Sequence, residues 1–582
     1  MKTLRKTLRK TLKKSFLNVS SLSKVALVAT STLFFVACNS SRTSNYEMAD
    51  GAPNEATENI ASSPARMNKS QNKKDISYNS NSNADYAISS EEYYVADEIQ
   101  QNTEEYQKQI ENKFIQSLKE PLSTFSIDVD NASYSNARRF IQSGQLPKPD
   151  AVRIEEFINY FDYDYQKPTG KHPFSVSTEI STAPWNEKHK LVHVGIQGKD
   201  LDYDNLAPSN LVFLIDASGS MESQNKLPLL RSSLKLLLSQ LNKNDRIAIV
   251  AYAGAAGLVL ESTPATETDK IIKALDAVSS GGSTAGGAGI QLAYSLAKDN
   301  LIKEGNNRVI LCTDGDFNVG VNSPKELVTM IETKRNDGIY LTVCGFGMGN
   351  YKDHQMEELS NAGNGNYFYI DNIQEAKKVF VTQMRATLFT IAKDIKIQIE
   401  FNPAKVAAYR LIGYENRMLQ KEDFNDDKKD AGELGAGHTV TALYEIIPVG
   451  VKSEFLPSVD DLRYQKNGNT DDGKIKNSYT AAASSDELLN LKLRYKKPDE
   501  DTSNLIVNPL KDDNIALEKT SENFRFSAAV AEFGMILRDS EFKSTASYNQ
   551  VISLAKAAKG KDTEGYRAEF LKLVESCQLM SK

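Results

Sequence analysis

From Asn210 to Ile370, short unbroken apolar runs alternate with amphipathic stretches, and that alternation limits the fold more than any other feature of the chain. "LVFLID", "DRIAIVAY", "GLVLES", "RVILCT", "IYLTVCGFG" and "NYFYI" read as strands, most of them apolar on both faces. The segments "KLPLLRSSLKLLLSQL", "TETDKIIKALDAV", "GAGIQLAYSLAKDNL", "SPKELVTMIETKRNDG" and "DHQMEELSNAG" read as helices. Strands with two apolar faces, joined by helical crossovers, imply a mostly parallel sheet covered on both sides. Such sheets bind ligands beyond the carboxyl ends of their strands. "LVFLID" ends in Asp216, and "ASGSM" then places Ser218 and Ser220 two and four residues further on. Two other loops add oxygen: Thr284 in the Gly-rich "GGSTAGGAG", and Asp314 directly after the strand "RVILCT". Carboxylates and hydroxyls without nitrogen or sulfur are the donors a small hard cation takes.

In order and in element, Asp216, Ser218, Ser220, Thr284 and Asp314 match the five-part signature of the von Willebrand factor type A domain, and the chain resembles that family. The resemblance implies a Rossmann-like α/β fold and a metal-ion-dependent adhesion site. In such a site the hydroxyls of Ser218, Ser220 and Thr284 ligate the ion directly. Asp216 and Asp314 hold its waters or act from behind, and one position stays open for a carboxylate of a partner protein. Mg²⁺ is the expected ion, with Mn²⁺ or Ca²⁺ as alternatives. Gly219, Gly281 and Gly282 would let backbone and partner approach closely. Helix capping and strand termination are the bland alternative. They do not explain why three separated segments converge on one end of a sheet.

The flanks resemble those of bacterial von Willebrand factor type A lipoproteins. "FSIDVDNASYSNARRFIQSGQLPKPDAVRIEEFINYFDYDY" is similar to the helper segment before the A domain. "TDGDFNVG" and the stretch from "DIKIQIEFNP" to "TALYEIIPVG" are similar to the same family. The organisation expected is a lipoprotein signal peptide over 1–37, a disordered tether over 38–108 and a helper region over 109–200. An A domain over 207–391 and an α+β region over 392–582 follow. Within the helper, "TFSIDVD" predicts a strand, Gly144 stops the helix "ASYSNARRFIQSG", and Asp150 is placed to cap "AVRIEEFINYF". "DVDN" lacks the later glycine and glutamate of a calcium loop and reads as turn and cap. After residue 392, period-2 strands as in a sandwich give way to amphipathic helices.

The first 37 residues carry eight Lys or Arg and no acid, and their removal would leave a charge of about −14. So acidic a chain is a poor partner for nucleic acid. A basic stretch and the apolar "VALVATSTLFFVA" before Cys38 read as a signal peptide. Phe35-Val36-Ala37-Cys38 resembles a bacterial lipobox, with Phe35 where leucine is usual. That resemblance implies a diacylated Cys38 and a membrane-anchored envelope protein, its membrane face undetermined. No other segment approaches the 18 or so apolar residues of a membrane span, which argues against a pore. Cys312, Cys344 and Cys577 form neither a zinc site nor a disulfide framework by spacing, and read as buried thiols. A binding protein is therefore expected rather than an enzyme. The alternatives are a structural scaffold whose metal only stabilises it and, remotely, a hydrolase. Against the hydrolase, "GGSTA" lacks the final glycine of a nucleophile elbow, and none of the five histidines stands in a catalytic context. Cys38→Ser is expected to abolish labelling with a fatty-acid analogue and partition into detergent; equal labelling of both proteins would reject the lipid anchor.

Overall fold

All eight residues of two strands, Ser209–Asp216 and Asn306–Thr313, are buried, and these strands lie side by side at the centre of a six-stranded sheet. The computed structural model describes residues 103–201, 206–282, 286–315, 317, 324–456 and 479–582. The expected signal peptide, Cys38 and most of the expected tether lie outside the described residues.

The helper region supplies β1 (Ile115–Gln116), β2 (Leu122–Ser126), α1 (Ala132–Gln142), α2 (Ile154–Asn159), β3 (Phe174–Ala183) and β4 (Asn186–Gly198). The A domain begins with β5 (Ser209–Asp216), α3 (Leu227–Leu238), β6 (Arg246–Tyr252), β7 (Ala256–Pro264), α4 (Thr268–Ala277) and α5 (Gly286–Asp299). It continues with β8 (Asn306–Thr313), α6 (Pro324–Asn336), β9 (Ile339–Phe346), α7 (Asp353–Ala362), β10 (Tyr367–Ile370) and α8 (Ile373–Lys377). Its sheet runs β10-β9-β8-β5-β6-β7, parallel throughout except for β7, which returns antiparallel to β6 as an edge. Leu230, Leu234 and Ile271 of α3 and α4 pack on Phe213, Ile215 and Ile249 on one face. Ile290, Ile331 and Met356 of α5, α6 and α7 pack on Val212, Leu214 and Val309 on the other. The apolar doubling of the strands thus becomes two helix layers. Cys312 and Cys344 are register partners on β8 and β9, both buried and unbridged, as expected of facing residues on parallel strands.

After the short helix α9 (Met384–Leu388), the chain forms β11 (Thr390–Phe401), β12 (Val406–Ile412), β13 (Gly432–Gly435), β14 (Thr439–Pro448), β15 (Glu487–Lys496) and β16 (Asn504–Lys511). The helices α10 (Glu522–Leu537), α11 (Tyr548–Ala557) and α12 (Tyr566–Met580) complete it. The regions 109–200 and 392–582, separate in the sequence, share their sheets. One sheet runs β1-β12-β14-β4-β3; the other runs β13-β11-β15-β16, with β2 paired to β11. Apart from one another, β4 and β14 would each leave a row of backbone groups unpaired, and pairing satisfies both. Phe125, Ile180 and Val192 of the helper share one core with Ile397, Ile399 and Leu491. Phe157 and Trp185 share another with Phe526, Phe533 and Phe570 of the terminal helices.

Arginines of this composite body, Arg138 and Arg153 fully buried, hold the A domain. Arg138 on α1 bonds Asp371 at 2.8 Å and Glu375 at 2.7 Å, both at the end of the A domain. Arg153 pairs with Glu156 and with Asp353 at the start of α7. Arg417 joins Asp130 at 3.2 Å to Glu357 at 3.3 Å.

Three local expectations fail. The strand "TFSIDVD" stops at Ser126, because Asp130 turns away to accept the Tyr367 N–H at 2.8 Å. Asp150 caps nothing: it sits in a 3₁₀ turn, accepts the Gln109 N–H at 3.2 Å, and α2 starts four residues later. Residues 103–108, expected as tether, are described, and the Thr103 N–H donates to Gly349 O at 2.7 Å and the Glu105 N–H to Tyr351 O at 3.1 Å. Glu104 is buried there against Arg139 at 2.8 Å, a pairing that local composition does not announce.

Glu532, fully buried in α10, accepts one hydrogen bond from the Ser547 N–H at 3.1 Å, and burial pushes its carboxyl up to about 8. The native state then holds a proton that the unfolded state releases near 4.5, so stability falls as pH rises through that window. Glu532→Gln is expected to raise the thermal midpoint at about pH 8.5 by the equivalent of roughly 1–3 kcal/mol, with the gain shrinking towards about pH 5. Melts across that range that show a constant difference would contradict this assignment.

Candidate metal centre

Parallel pairing of β5 with β8 sets Ile215 opposite Cys312, so the two strands end together and deliver Asp216 and Asp314 to the same edge of the sheet. Both residues are fully buried. Asp216 Oδ1 accepts the Ser218 N–H at 2.9 Å, which bends the loop back over the strand end. Its Oδ2 accepts from the Tyr252 hydroxyl and from Thr313 Oγ1, each at 3.2 Å. The Ser218 and Ser220 hydroxyls lie 2.9 Å apart, Ser218 buried and Ser220 exposed. The Gly281 N–H donates to Ala217 O at 2.8 Å, and the Gly219 N–H to Gly282 O at 3.2 Å. These two bonds fasten the start of the "GGSTAGGAG" loop to the "DASGSM" loop. Gly282 adopts a φ of +84°, which favours glycine. Thr284 itself lies outside the described residues.

The donor set fits a small divalent ion. Octahedral Mg²⁺, with oxygens at about 2.1 Å, holds neighbouring ligands about 3 Å apart, the spacing of the two serine hydroxyls. Among the described residues no group of three or more His, Cys, Asp and Glu collects as an alternative metal site. Ser218 and Ser220 could ligate directly, with Asp216 and Asp314 behind them.

Lys226, just before α3, was not among the residues singled out from the sequence. Its ammonium lies 2.8 Å from Asp314 Oδ2 and 3.4 Å from Asn350 Oδ1, and the residue is 6% exposed. Burial raises the Asp314 carboxyl, but Lys226 and hydrogen bonds from Ser220 and Asn350 outweigh it and hold the group below the usual carboxylate range. Asp216 goes the other way. Burial pushes it up against its hydrogen bonds, and the charge of Asp314 adds to the rise.

The family model described as "von Willebrand factor type A domain" matches residues 210–382, and one described as "von Willebrand factor" matches 100–193. A third, "Uncharacterized protein YfbK, C-terminal", matches 386–580. The chain is 46% identical over 480 residues to the uncharacterized protein YfbK of Escherichia coli (strain K12), covering 81% of each. It belongs to this bacterial von Willebrand factor type A family. The uncharacterized protein sll0103 of Synechocystis is 28% identical over 34% of this chain and 46% of its own length. A solved von Willebrand factor type A protein from Catenulispora acidiphila is 14% identical, covers 70% of this chain and 91% of its own, and has a TM-score of 0.37.

The three family matches follow one another along the chain, over 100–193, 210–382 and 386–580. Besides Lys226, the residues Tyr252, Thr313 and Asn350 at this site carry no sequence signal of their own. A lysine before a helix and a tyrosine ending a strand are common features, and only the sheet register turns them towards the two carboxylates.

Because Asp216 is raised, its ionisation costs the metal-free chain stability as pH rises through its folded value. Asp216→Asn keeps an acceptor for the Ser218 N–H and removes that charge. In chelator at about pH 8 its melting midpoint is expected to exceed wild type, with the gap closing towards acid pH. A lower midpoint, with the gap widening as pH rises, would contradict this electrostatic assignment.

Proposed function

We propose that the A domain binds a divalent cation, Mg²⁺ with Mn²⁺ or Ca²⁺ as alternatives, and through it engages a carboxylate of a partner protein. Cys38 would carry the lipid that anchors the chain in a bacterial envelope membrane. One observation supports the metal reading above the others: two serine hydroxyls 2.9 Å apart, one of them solvent-facing, over the paired strand ends that carry Asp216 and Asp314. Thr284, two residues after Gly282 in the sequence, would supply the third hydroxyl. When bound, the ion supplies an electrophilic centre for a partner Asp or Glu. The protein's part is to hold neutral hydroxyls on that ion and keep the two carboxylates behind it. The anionic charge then comes from the sheet edge, and the face towards the partner stays uncharged. Gly219 and Ser220 are exposed on that face, and a partner can reach the loop there.

A scaffold role, in which the ion merely stiffens the A domain, draws support from the way Arg138 and Arg153 hold that domain to the composite body. Metal dependence of capture separates the two readings. Binding to the native state alone is expected to raise stability by about 2.7 kcal/mol at a hundredfold excess of Mg²⁺ over Kd. Asp314→Ala should lose that shift and the chelator-sensitive capture of a partner. An undiminished Mg²⁺ shift in the Asp216→Ala, Asp314→Ala double variant would remove the metal site, and capture indifferent to chelator would favour the scaffold.

A further inference from the structure

Lys226 is held in place by features of its own. The stem of its side chain passes over Gly347, where an added Cβ would come within 2.3 Å of Cε and 2.5 Å of Cγ. Gly347 has a φ of +77°, which favours glycine, and its carbonyl is fixed by the Tyr369 hydroxyl. The Lys226 carbonyl accepts the Leu230 N–H at 2.8 Å as α3 begins, so the backbone at the root of the side chain is fixed as well. The ammonium is thereby carried to Asp314 along a channel that only a glycine at 347 leaves open. A buried ammonium is costly unless paired, and the groups given to it are Asp314 and Asn350.

We propose that Lys226 is a tethered counter-ion that neutralises Asp314 in the metal-free chain and competes with the divalent cation for it, so that it sets the metal affinity of the site. This rests on the metal reading above. A divalent ion on the Ser218 and Ser220 hydroxyls takes its anionic support from Asp216 and Asp314. The ammonium already draws on one of these two carboxylates and repels a second cation placed beside it. Metal entry therefore requires the Lys226–Asp314 contact to lengthen or break, and metal loss lets it reform. The metal-free site then carries one net negative charge rather than two when both carboxylates are ionised, and the affinity for the ion is lower than the ligands alone would give. Asn350, already within 3.4 Å, is the acceptor that keeps part of the ammonium's hydrogen bonding when Asp314 is lost to it.

The test uses the full chain with Mg²⁺ as the probe. Lys226→Met keeps the stem and removes the charge. It is expected to lower the melting midpoint in chelator and to tighten Mg²⁺ binding by calorimetry about tenfold or more, whereas Lys226→Arg, which keeps a cation there, is expected to bind Mg²⁺ no more tightly than wild type. Mg²⁺ binding by Lys226→Met that is equal to or weaker than wild type overturns the proposal while leaving the metal site standing. Absence of Mg²⁺ binding in wild type and both variants overturns the metal reading and the proposal with it. A measurement on wild type avoids any folding defect: reductive methylation of Lys226, followed by mass spectrometry, should be slow in chelator and accelerate at saturating Mg²⁺. An unchanged rate with saturating Mg²⁺ would overturn the competition.

Discussion

Two buried carboxylates end neighbouring parallel strands, and the upper edge of the A domain is organised around that charge. Asp216 and Asp314 would repel each other by on the order of a few kcal/mol if both were ionised and unbalanced. The Tyr252 and Thr313 hydroxyls and the Ser218 N–H hold Asp216, and the Lys226 ammonium holds Asp314. In the proposed metal-bound state, a divalent ion on the serine hydroxyls would meet the same demand. The sheet register that brings the carboxylates together is thus the cause both of the site and of the lysine beside it.

The rest of the molecule fixes where that edge faces. Helper strands flank the C-terminal pair β12 and β14 in β1-β12-β14-β4-β3, so the body that holds the A domain is built from both ends of the described chain. Arg138, Arg153 and Arg417 reach from this body to Asp371, Asp353 and Glu357. Such buried pairs add little net stability, but breaking one leaves an unpaired buried charge, which disfavours other placements of the A domain. Thr103–Glu105 runs beside the Gly349–Lys352 loop, which carries Asn350, a hydrogen-bond partner of Lys226.

Much of the A domain was legible because its strands are apolar on both faces and its helices are amphipathic, a pattern that depends little on distant partners. Asp216, Ser218, Ser220 and Asp314 were legible because strand ends and spacing place them directly. The sharing of sheets by residues 109–200 and 392–582 was not legible. Each of β4 and β14 looks like a strand, and sequence alone does not say which edges meet. The edge strand β16, with Pro509 in it and alternate residues exposed, resembles a loop by composition and was missed. Asp150 misled because a carboxylate before an apolar run has the form of a cap, while tertiary bonds placed it in a turn. Lys226 escaped because its role depends on β8 and the Gly347 loop, both remote in sequence.

Diffraction from crystals of the chain grown with Mn²⁺ in place of Mg²⁺, using the anomalous signal of manganese, tests the central claim most directly. The account predicts one strong peak within bonding distance of the Ser218 and Ser220 hydroxyls, with Thr284 beside it and the Lys226 ammonium drawn away from its position 2.8 Å from Asp314. A peak elsewhere, or manganese at the serines with the Lys226–Asp314 contact unchanged, would contradict it.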